Sequence, residues 1–472
     1  MLECPRKALV KLINSRLLTI LAKHNVLKGN NFAGLPYRST FEPINILDNI
    51  KYDASFHHND LWILFQDMSK AYDRVNLGML IRALTRLHLP MTFVHLIISI
   101  FTPRFNQIFT AHGNTDAYYI LSGIDQGEII SPILWCIYYD PLLCKIQKSS
   151  LGYTQSINWR KDLTKNSTMS FSNHVPALAY MDDTLWMANS RSDLQNIMTV
   201  ADSFFTLNSI QVNWDKSVLL TNIKDTSPVN FAFNDKDIWL SPLSHKDSTR
   251  YLGVWISLFD NASFIKNQVS TEFTKVKNVL DKKRLTAKQL VAVFNSVIIP
   301  RILYKTKLTF LPANFCNMLM ASFRAFFKNK LRLTKSLPAP IIHSTFGYNL
   351  AHLYDKQMLA KSSDFLKMIN DIALLGNTAR LRIMQLQLIE WLHLSPITSW
   401  PYDNPSIFKD WWSSFLSAAK IDGFTFGKCL DEHFDLTQIM GALHPFQQFC
   451  LQIFTESQSR IFVYYQLCLW IN

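Results

Sequence analysis

The stretch ALAYMDDTLWM, residues 177–187, sets two carboxylates side by side in a run that is otherwise apolar or small. Strand-forming residues flank Asp182 and Asp183 on both sides, which places the pair at the tip of a hairpin. Charge left unpaired on a buried hairpin is costly, so other groups must converge on it. One candidate is LWILFQD (61–67), which reads as a second buried strand ending in an acid, Asp67. If the two strands neighbour each other in one sheet, three carboxylates meet at one edge and raise one another's pKa unless cations neutralise them. Hard oxygen ligands of this kind suit Mg²⁺, which keeps some of its waters and is completed by substrate phosphates. Two such ions about 3.5–4 Å apart activate an attacking hydroxyl and stabilise a leaving oxygen, the chemistry of nucleotidyl transfer.

The chain around this constellation changes character once. Up to about residue 257 strands and helices mix. A helix is predicted over 77–88 with Leu77, Leu80, Ile81, Leu84 and Leu87 on one face. Two β-rich runs, NQIFTAHG and AYYILSG, flank a turn near Gly113–Asn114. Another helix begins near Ser131–Pro132, proline suiting a first turn. Residues 147–176 are polar and read as a surface insertion. A helix capped by Ser192 carries Leu194, Ile197, Ala201 and Phe204, and strands are expected over 210–221 and 250–256. From 262 onward the pattern is helix after helix: 263–283, 287–305 behind a Thr286 cap, and 313–333. The last stretch, 346–472, is helical and aromatic with proline-punctuated loops near 396–405.

Bulk properties narrow the function classes. At 472 residues the chain exceeds one ordinary core. No window reaches the roughly 18 uninterrupted apolar residues of a membrane span, so no membrane partner is expected. Seven cysteines without a C-x-x-C pair suggest neither a disulfide framework nor a zinc site. The net charge of +13 is concentrated: residues 262–335 hold fifteen Lys and Arg against two acids, Glu272 and Asp281, and the rest balances to about zero. A compact basic helical stretch of this kind is an electrostatic footprint for a polyphosphate backbone.

The residues also carry a family likeness. YMDD (180–183) resembles the Y-x-D-D box of reverse transcriptases, and four more blocks occur in that family's order. LFQDMSKAYDRV (64–75) resembles its motif A, SGIDQGEIISPILW (122–135) its motif B, QVNWDKS (211–217) its motif D and YLGVWI (251–256) its motif E. Upstream, PRKALVKLINSRL and GLPYRST resemble the fingers of non-LTR, LINE-like retrotransposon enzymes. The resemblance implies an α+β right-hand polymerase. Partial fingers and a palm, an antiparallel sheet backed by helices, would fill 1–257. A helical basic thumb would follow over 258–345, then a helical C-terminal region over 346–472.

Carried over by position, the resemblance implies that Asp67, Asp182 and Asp183 are catalytic and hold two Mg²⁺ ions, or Mn²⁺ in their place, assisted by the backbone carbonyl of Met68. Ala71 and Tyr72 would meet the incoming deoxynucleotide, the tyrosine ring excluding a 2′-OH. Gln126 and Gly127 would touch the same nucleotide, and Lys216 would protonate the departing pyrophosphate. Tyr180, Met181 and Arg38 would contact nucleic acid, Arg38 with template or triphosphate as alternatives. Lys275, Lys282, Lys283, Arg284 and Lys288 would grip the duplex. Partners on this reading are an RNA template, a DNA primer and dNTPs, in the nucleus or in a cytoplasmic ribonucleoprotein. Because the chain starts at MLECPRK, inside what resembles the fingers, the expectation includes a truncated fingers region. A relic that binds RNA or hybrid duplex without polymerising is the main rival. A maturase-like protein fits less well, its basic C-terminal domain being poorly matched. An RNA-directed RNA polymerase is disfavoured by Tyr72 and by the absence of Gly-Asp-Asp.

Overall fold

The computed structural model describes residues 4–160, 168–224, 227–234, 236–244, 247–259, 262–389, Trp400 and 410–422. Most of the expected 396–405 loops and everything beyond 422 lie outside them. The chain divides into two compact units, one of residues 1–155 and 172–247, the other of 156–171 and 248–472.

The first unit is built on a four-stranded antiparallel sheet. Its strand order places Gln211–Thr221 at one edge, then Trp62–Ser69, Asp183–Ala188 and Ala177–Tyr180. The central strand WILFQDMS is buried along almost its whole length, which explains why it reads as a continuous apolar run rather than an alternation. Helix Cys4–Lys23 presents Val10, Ile13, Leu17 and Leu21, at helical spacing, to the core. Helix Ser131–Gln147 is buried on most of its circumference and stacks Trp135, Tyr139 and Phe205, ring centroids 5.6 and 6.4 Å apart, behind the sheet. Helix Leu77–Arg86 forms with its expected face and is capped by Asn76, whose side chain accepts the Met79 N–H, while Asp73 sits in a 3₁₀ turn, Tyr72–Arg74.

Three local expectations need correction. The polar 147–176 stretch is not a mere surface insertion: it contains strands Tyr153–Arg160 and Thr168–Val175. Tyr153, Gln155 and Ile157 alternate into the interior, and the Tyr153 hydroxyl donates to Asp53 at 2.6 Å. Burial of a glutamine on that face hid the period of two from a reading based on polarity. The cap of helix Arg191–Asn208 is Ser190 rather than Ser192, because Ser190 takes the extended backbone a cap needs and accepts the Asp193 N–H at 3.1 Å. In the 105–121 hairpin, Thr110 pairs with Gly113, so the tight turn falls at 111–112, earlier than expected.

The second unit is helical after a short hairpin, Thr249–Tyr251 with Val254–Ile256. Helices Ala262–Asp281 and Ala313–Lys330 bury Phe273 and Phe323 in one core, where Phe294 stacks on Phe323 at 4.1 Å. The expected single helix over 287–305 opens with a Thr286–Gln289 capping box but is broken by a π turn, Phe294–Ile298. Pro300 has no N–H to give the preceding turn, and the Ile299 N–H reaches back to Phe294 instead. Helices Leu353–Asn370, Leu374–Ile389 and Trp411–Ile421 complete the unit around Trp412, with the buried Arg382 guanidinium 4.6 Å from its ring. Among the described residues no helix is long and apolar enough to cross a membrane.

Candidate active site

Adjacent strands bring the three acids to one end of the sheet. The register of Trp62–Ser69 against Asp183–Ala188 pairs Gln66 with Thr184, and one further step sets Asp67 beside Asp183. Trp186 fixes that register by donating its indole N–H to Gln66 at 2.8 Å, in a buried cross-strand pair. The hairpin closes through Tyr180 and Asp183, leaving Met181 and Asp182 as its two turn residues. Met181 takes φ 57° while Asp182 does not take a positive φ, the pattern of a type II′ turn whose first position favours glycine.

The acids feel one another's charge. Burial pushes the Asp183 carboxyl up to about 6, with Asp182 and then Asp67 adding to the rise. Asp182 is likewise raised by burial and by the charge of Asp67, against a backbone hydrogen bond that lowers it. Like charge beside like charge adds to the rise of both hairpin acids. Among the described residues no three acid, histidine or cysteine side chains already stand together as a metal cage. Asp67 instead has a cation of the chain's own, Lys216 Nζ at 3.6 Å in an exposed pair.

A bulge delivers that lysine. Phe65 pairs with Val218 and Asp67 with Asn213, so Trp214, Asp215, Lys216 and Ser217 stand opposite Gln66 alone. The Ser217 hydroxyl donates to the Asn213 carbonyl at 2.9 Å, and Trp214 packs edge-on against Phe233 at 4.8 Å. Bulges of this kind re-aim a side chain beside functional sites, and here the re-aimed group reaches the central acid.

The remaining residues line the same end. Tyr72 is half-buried, its ring 6.0 Å from Trp135 and its hydroxyl donating to Met181 Sδ at 3.6 Å. Burial first, then the nearby Asp182, pushes its phenol up to about 12. Ala71 is buried in the preceding turn. Gln126 and Gly127 are exposed on a turn that is strapped to the 3₁₀ turn of Tyr72. The Gly123 N–H donates to the Val75 carbonyl at 2.8 Å and the Ile124 N–H to the Tyr72 carbonyl at 2.9 Å. Arg104 pins it from the other side, bonding Asp125 at 2.8 Å and the Ser122 carbonyl at 2.9 Å. Gly127 has φ 92° with open space where a Cβ would stand, so its backbone conformation is what demands glycine.

Gly123 is demanded twice over: φ is 89° and a Cβ would lie 2.6 Å from the Asp73 carbonyl oxygen. Gly123→Ala should therefore cost about 1–3 kcal/mol and lower the melting temperature by several degrees. Thermal unfolding followed by circular dichroism checks it, and an unchanged midpoint would show that the turn is not held against Asp73.

Arg38 is exposed, its guanidinium 5.6 Å from the Phe32 ring. Lys275, Lys282, Lys283, Arg284 and Lys288 are all exposed in the second unit, Lys282 to Arg284 forming the turn after helix Ala262–Asp281. Sequence reading missed Asn31, whose side-chain oxygen accepts the Met181 N–H at 3.3 Å across 150 residues. Nothing local in GNNFAG marks that contact.

Comparison with known proteins bears on the family of the chain. The family model described as Reverse transcriptase (RNA-dependent DNA polymerase) matches residues 2–256. A retrovirus-related Pol polyprotein from type-1 retrotransposable element R2 of Popillia japonica is 22% identical over 245 residues, covering 50% of this chain and 37% of that protein. The transposon TX1 uncharacterized 149 kDa protein of Xenopus laevis is 25% identical over 313 residues, covering 65% of this chain and 22% of its own length. The chain thus spans well under half the length of these curated relatives. A solved telomerase from Candida albicans, in complex with a fragment of telomeric RNA, aligns at TM-score 0.38 and 15% identity over 81% of this chain and 54% of that one; at that score the likeness adds nothing to the assignment. With the family match spanning more than half of the chain, and with relatives from non-LTR elements, the chain belongs to the reverse transcriptase (RNA-dependent DNA polymerase) family, in its LINE-like branch.

Proposed function

We propose that this chain is an RNA-directed DNA polymerase that joins a primer 3′-OH to the α-phosphate of a deoxynucleotide. The observation that carries the reading is the convergence of Asp67, Asp182 and Asp183, with the charge of Asp67 reaching both hairpin acids. Reverse transcriptases as a family use divalent metal ions, and the donor set fits them: hard carboxylate oxygens, two of them on partly desolvated groups. Asp67 and Asp182 would be the principal ligands, completed by Asp183 and the Met68 carbonyl, for two Mg²⁺ ions or Mn²⁺ in their place. When bound, such ions activate the attacking hydroxyl and stabilise the leaving oxygen.

The chain's own residues supply positioning and proton transfer. The primer O3′ would attack the α-phosphorus as the bond to pyrophosphate breaks, and the 3′-OH proton would pass to solvent water. Lys216, whose Nζ lies 3.6 Å from Asp67, would face the departing pyrophosphate and give it a proton. Gln126 and the Gly127 backbone, on a turn strapped to Tyr72, would meet the incoming nucleotide together with Ala71, while Tyr180, Met181 and Arg38 would border the nucleic acid. In the second unit, Lys275, Lys282, Lys283, Arg284 and Lys288 would bind phosphates of the primer–template, holding an RNA–DNA hybrid by shape rather than base edges.

Primer extension on poly(rA)/oligo(dT) with Mg²⁺ and dTTP tests the reading. Labelled dTMP incorporation is expected; none at all would leave a protein that binds RNA or hybrid duplex without polymerising. Tyr72 adds a sharper expectation, because its ring, 6.0 Å from Trp135 and tied through its hydroxyl to Met181, would stand in the way of a 2′-OH. Tyr72→Ala should improve ribonucleotide use relative to deoxynucleotide by at least about tenfold, a modest value for removing a steric block. Unaltered sugar selectivity in single-nucleotide incorporation would remove the gate role.

A further inference from the structure

The hairpin that carries Asp182 and Asp183 ends in a turn that its own residues disfavour. An L-residue with positive φ, here Met181 at 57°, pays for a conformation that glycine adopts freely. Strain of this kind persists where the surroundings over-determine it, and the surroundings come from far away in the chain. Residues 30–32 run alongside the strand Ala177–Tyr180 as an added edge: the Ala179 N–H donates to the Asn30 carbonyl at 2.8 Å and the Phe32 N–H to the Ala179 carbonyl at 2.9 Å. Asn31 pairs with Ala179 in a parallel bridge. From there its side-chain oxygen reaches past the end of the strand and accepts two amides, Met181 at 3.3 Å and Ala33 at 3.2 Å.

The edge is itself anchored. Asn30 donates its amide to Gln147 at 2.8 Å and to the Ala177 carbonyl at 3.3 Å, and Asp140 accepts the Lys28 and Gly29 amides at 3.0 and 2.8 Å. Both acceptor side chains belong to the buried helix Ser131–Gln147. Asn31 therefore acts from a fixed platform. On its far side Met181 receives the Tyr72 hydroxyl on its sulfur, so one residue links the acid-bearing tip to the tyrosine.

We propose that Asn31 is a positioning residue: by accepting the Met181 N–H it locks the strained turn that presents Asp182 and Asp183, and through Met181 it holds the Tyr72 hydroxyl. Removing that acceptor lets the tip relax toward an ordinary turn, which swings the two carboxylates away from Asp67. The inference rests on reading the tip as the metal-holding end of a polymerase, but its structural half does not need turnover to be measured.

The experiment compares the full chain with Asn31→Ala, Asn31→Asp and the double variant Asn31→Ala/Met181→Gly. Amide hydrogen exchange at Met181 reads the lock directly, and titration with Mn²⁺ followed by electron paramagnetic resonance reads the acids. In Asn31→Ala, exchange at Met181 should quicken by about fivefold, the ratio expected from one hydrogen bond of ordinary net worth. The Mn²⁺ half-saturation point should rise by a similar factor, while the melting temperature and hybrid binding stay near those of the parent. Asn31→Asp keeps the acceptor oxygen and should restore Met181 protection. Because glycine adopts the turn without strain, removing Asn31 in a Met181→Gly background should shift the Mn²⁺ midpoint less than in the parent. Unchanged exchange and Mn²⁺ titration in Asn31→Ala would overturn the proposal, as would equal shifts in both backgrounds. If the parent binds Mn²⁺ and shows the lock but incorporates no nucleotide, the polymerase reading fails and the positioning role stands.

Discussion

Asp182→Ala is expected to abolish incorporation on poly(rA)/oligo(dT) while leaving the fold intact. The side chain is half-buried at the turn of a two-strand hairpin and takes part in no ladder bond, and the strand register is set deeper in the sheet by Trp186 and Gln66. What the variant removes is one of three carboxylates at one end of the sheet, where the charge of Asp67 reaches both hairpin acids. The group is raised by burial and by Asp67, which means that keeping it ionised without a counter-ion is unfavourable, and the chain retains it nonetheless. A group aimed at charge that develops in the transition state is worth about 10²–10³ in rate even when it is a single neutral donor. A loss of about 10³ or more is therefore expected here, visible as primer that stays unextended over hours. The result is informative only against an unchanged melting temperature and unchanged hybrid binding. A variant that still extends primer at a tenth of the parental rate would place the chemistry elsewhere.

Much of this site is legible in the sequence because its acids lie within short motifs of strong local character. Asp67 ends an apolar run, and Asp182–Asp183 interrupt another; two buried strands and a two-residue turn leave few arrangements open. Thr286 with Gln289 three residues later announces a helix start through local hydrogen bonding alone, and the structure contains that capping box. The failures are of a different kind. The Tyr153–Arg160 strand was hidden because a buried position is filled by Gln155, whose polarity mimics a loop. The π turn at 294–298 arises from one missing N–H at Pro300, a local cause with an effect a turn away. Asn31 could not be found from its neighbours at all, since what makes it matter is a backbone amide 150 residues on. Contacts of that sort depend on the fold being already in place, whereas caps and strand patterns are written within a few residues.

The second large effect concerns the basic turn. Replacing Lys282, Lys283 and Arg284 together with Ala should weaken RNA–DNA hybrid binding and flatten its dependence on salt. These side chains are exposed, and they follow helix Ala262–Asp281 directly. Other cations of the unit are engaged differently: Lys305 and Arg301 meet Glu272, Lys307 meets Asp364 at 2.6 Å, and Lys277 bonds the Ser322 hydroxyl at 3.0 Å. The net surplus of thirteen over 262–335 is therefore not spread evenly in its availability, and the 282–284 turn is where three successive charges face solvent. Each phosphate neutralised contributes about −0.9 to the slope of log K against log salt on a duplex. Loss of three contacts should make that slope less negative by about two to three and reduce affinity most at low ionic strength, with little change for one sequence over another. Fluorescence anisotropy of a labelled hybrid between 50 and 200 mM salt measures it. A slope that stays put while affinity falls would mean that the turn supports the helix packing rather than the phosphates, and the Phe273–Phe323 core makes that outcome separable, since a loosened core would also lower the melting temperature.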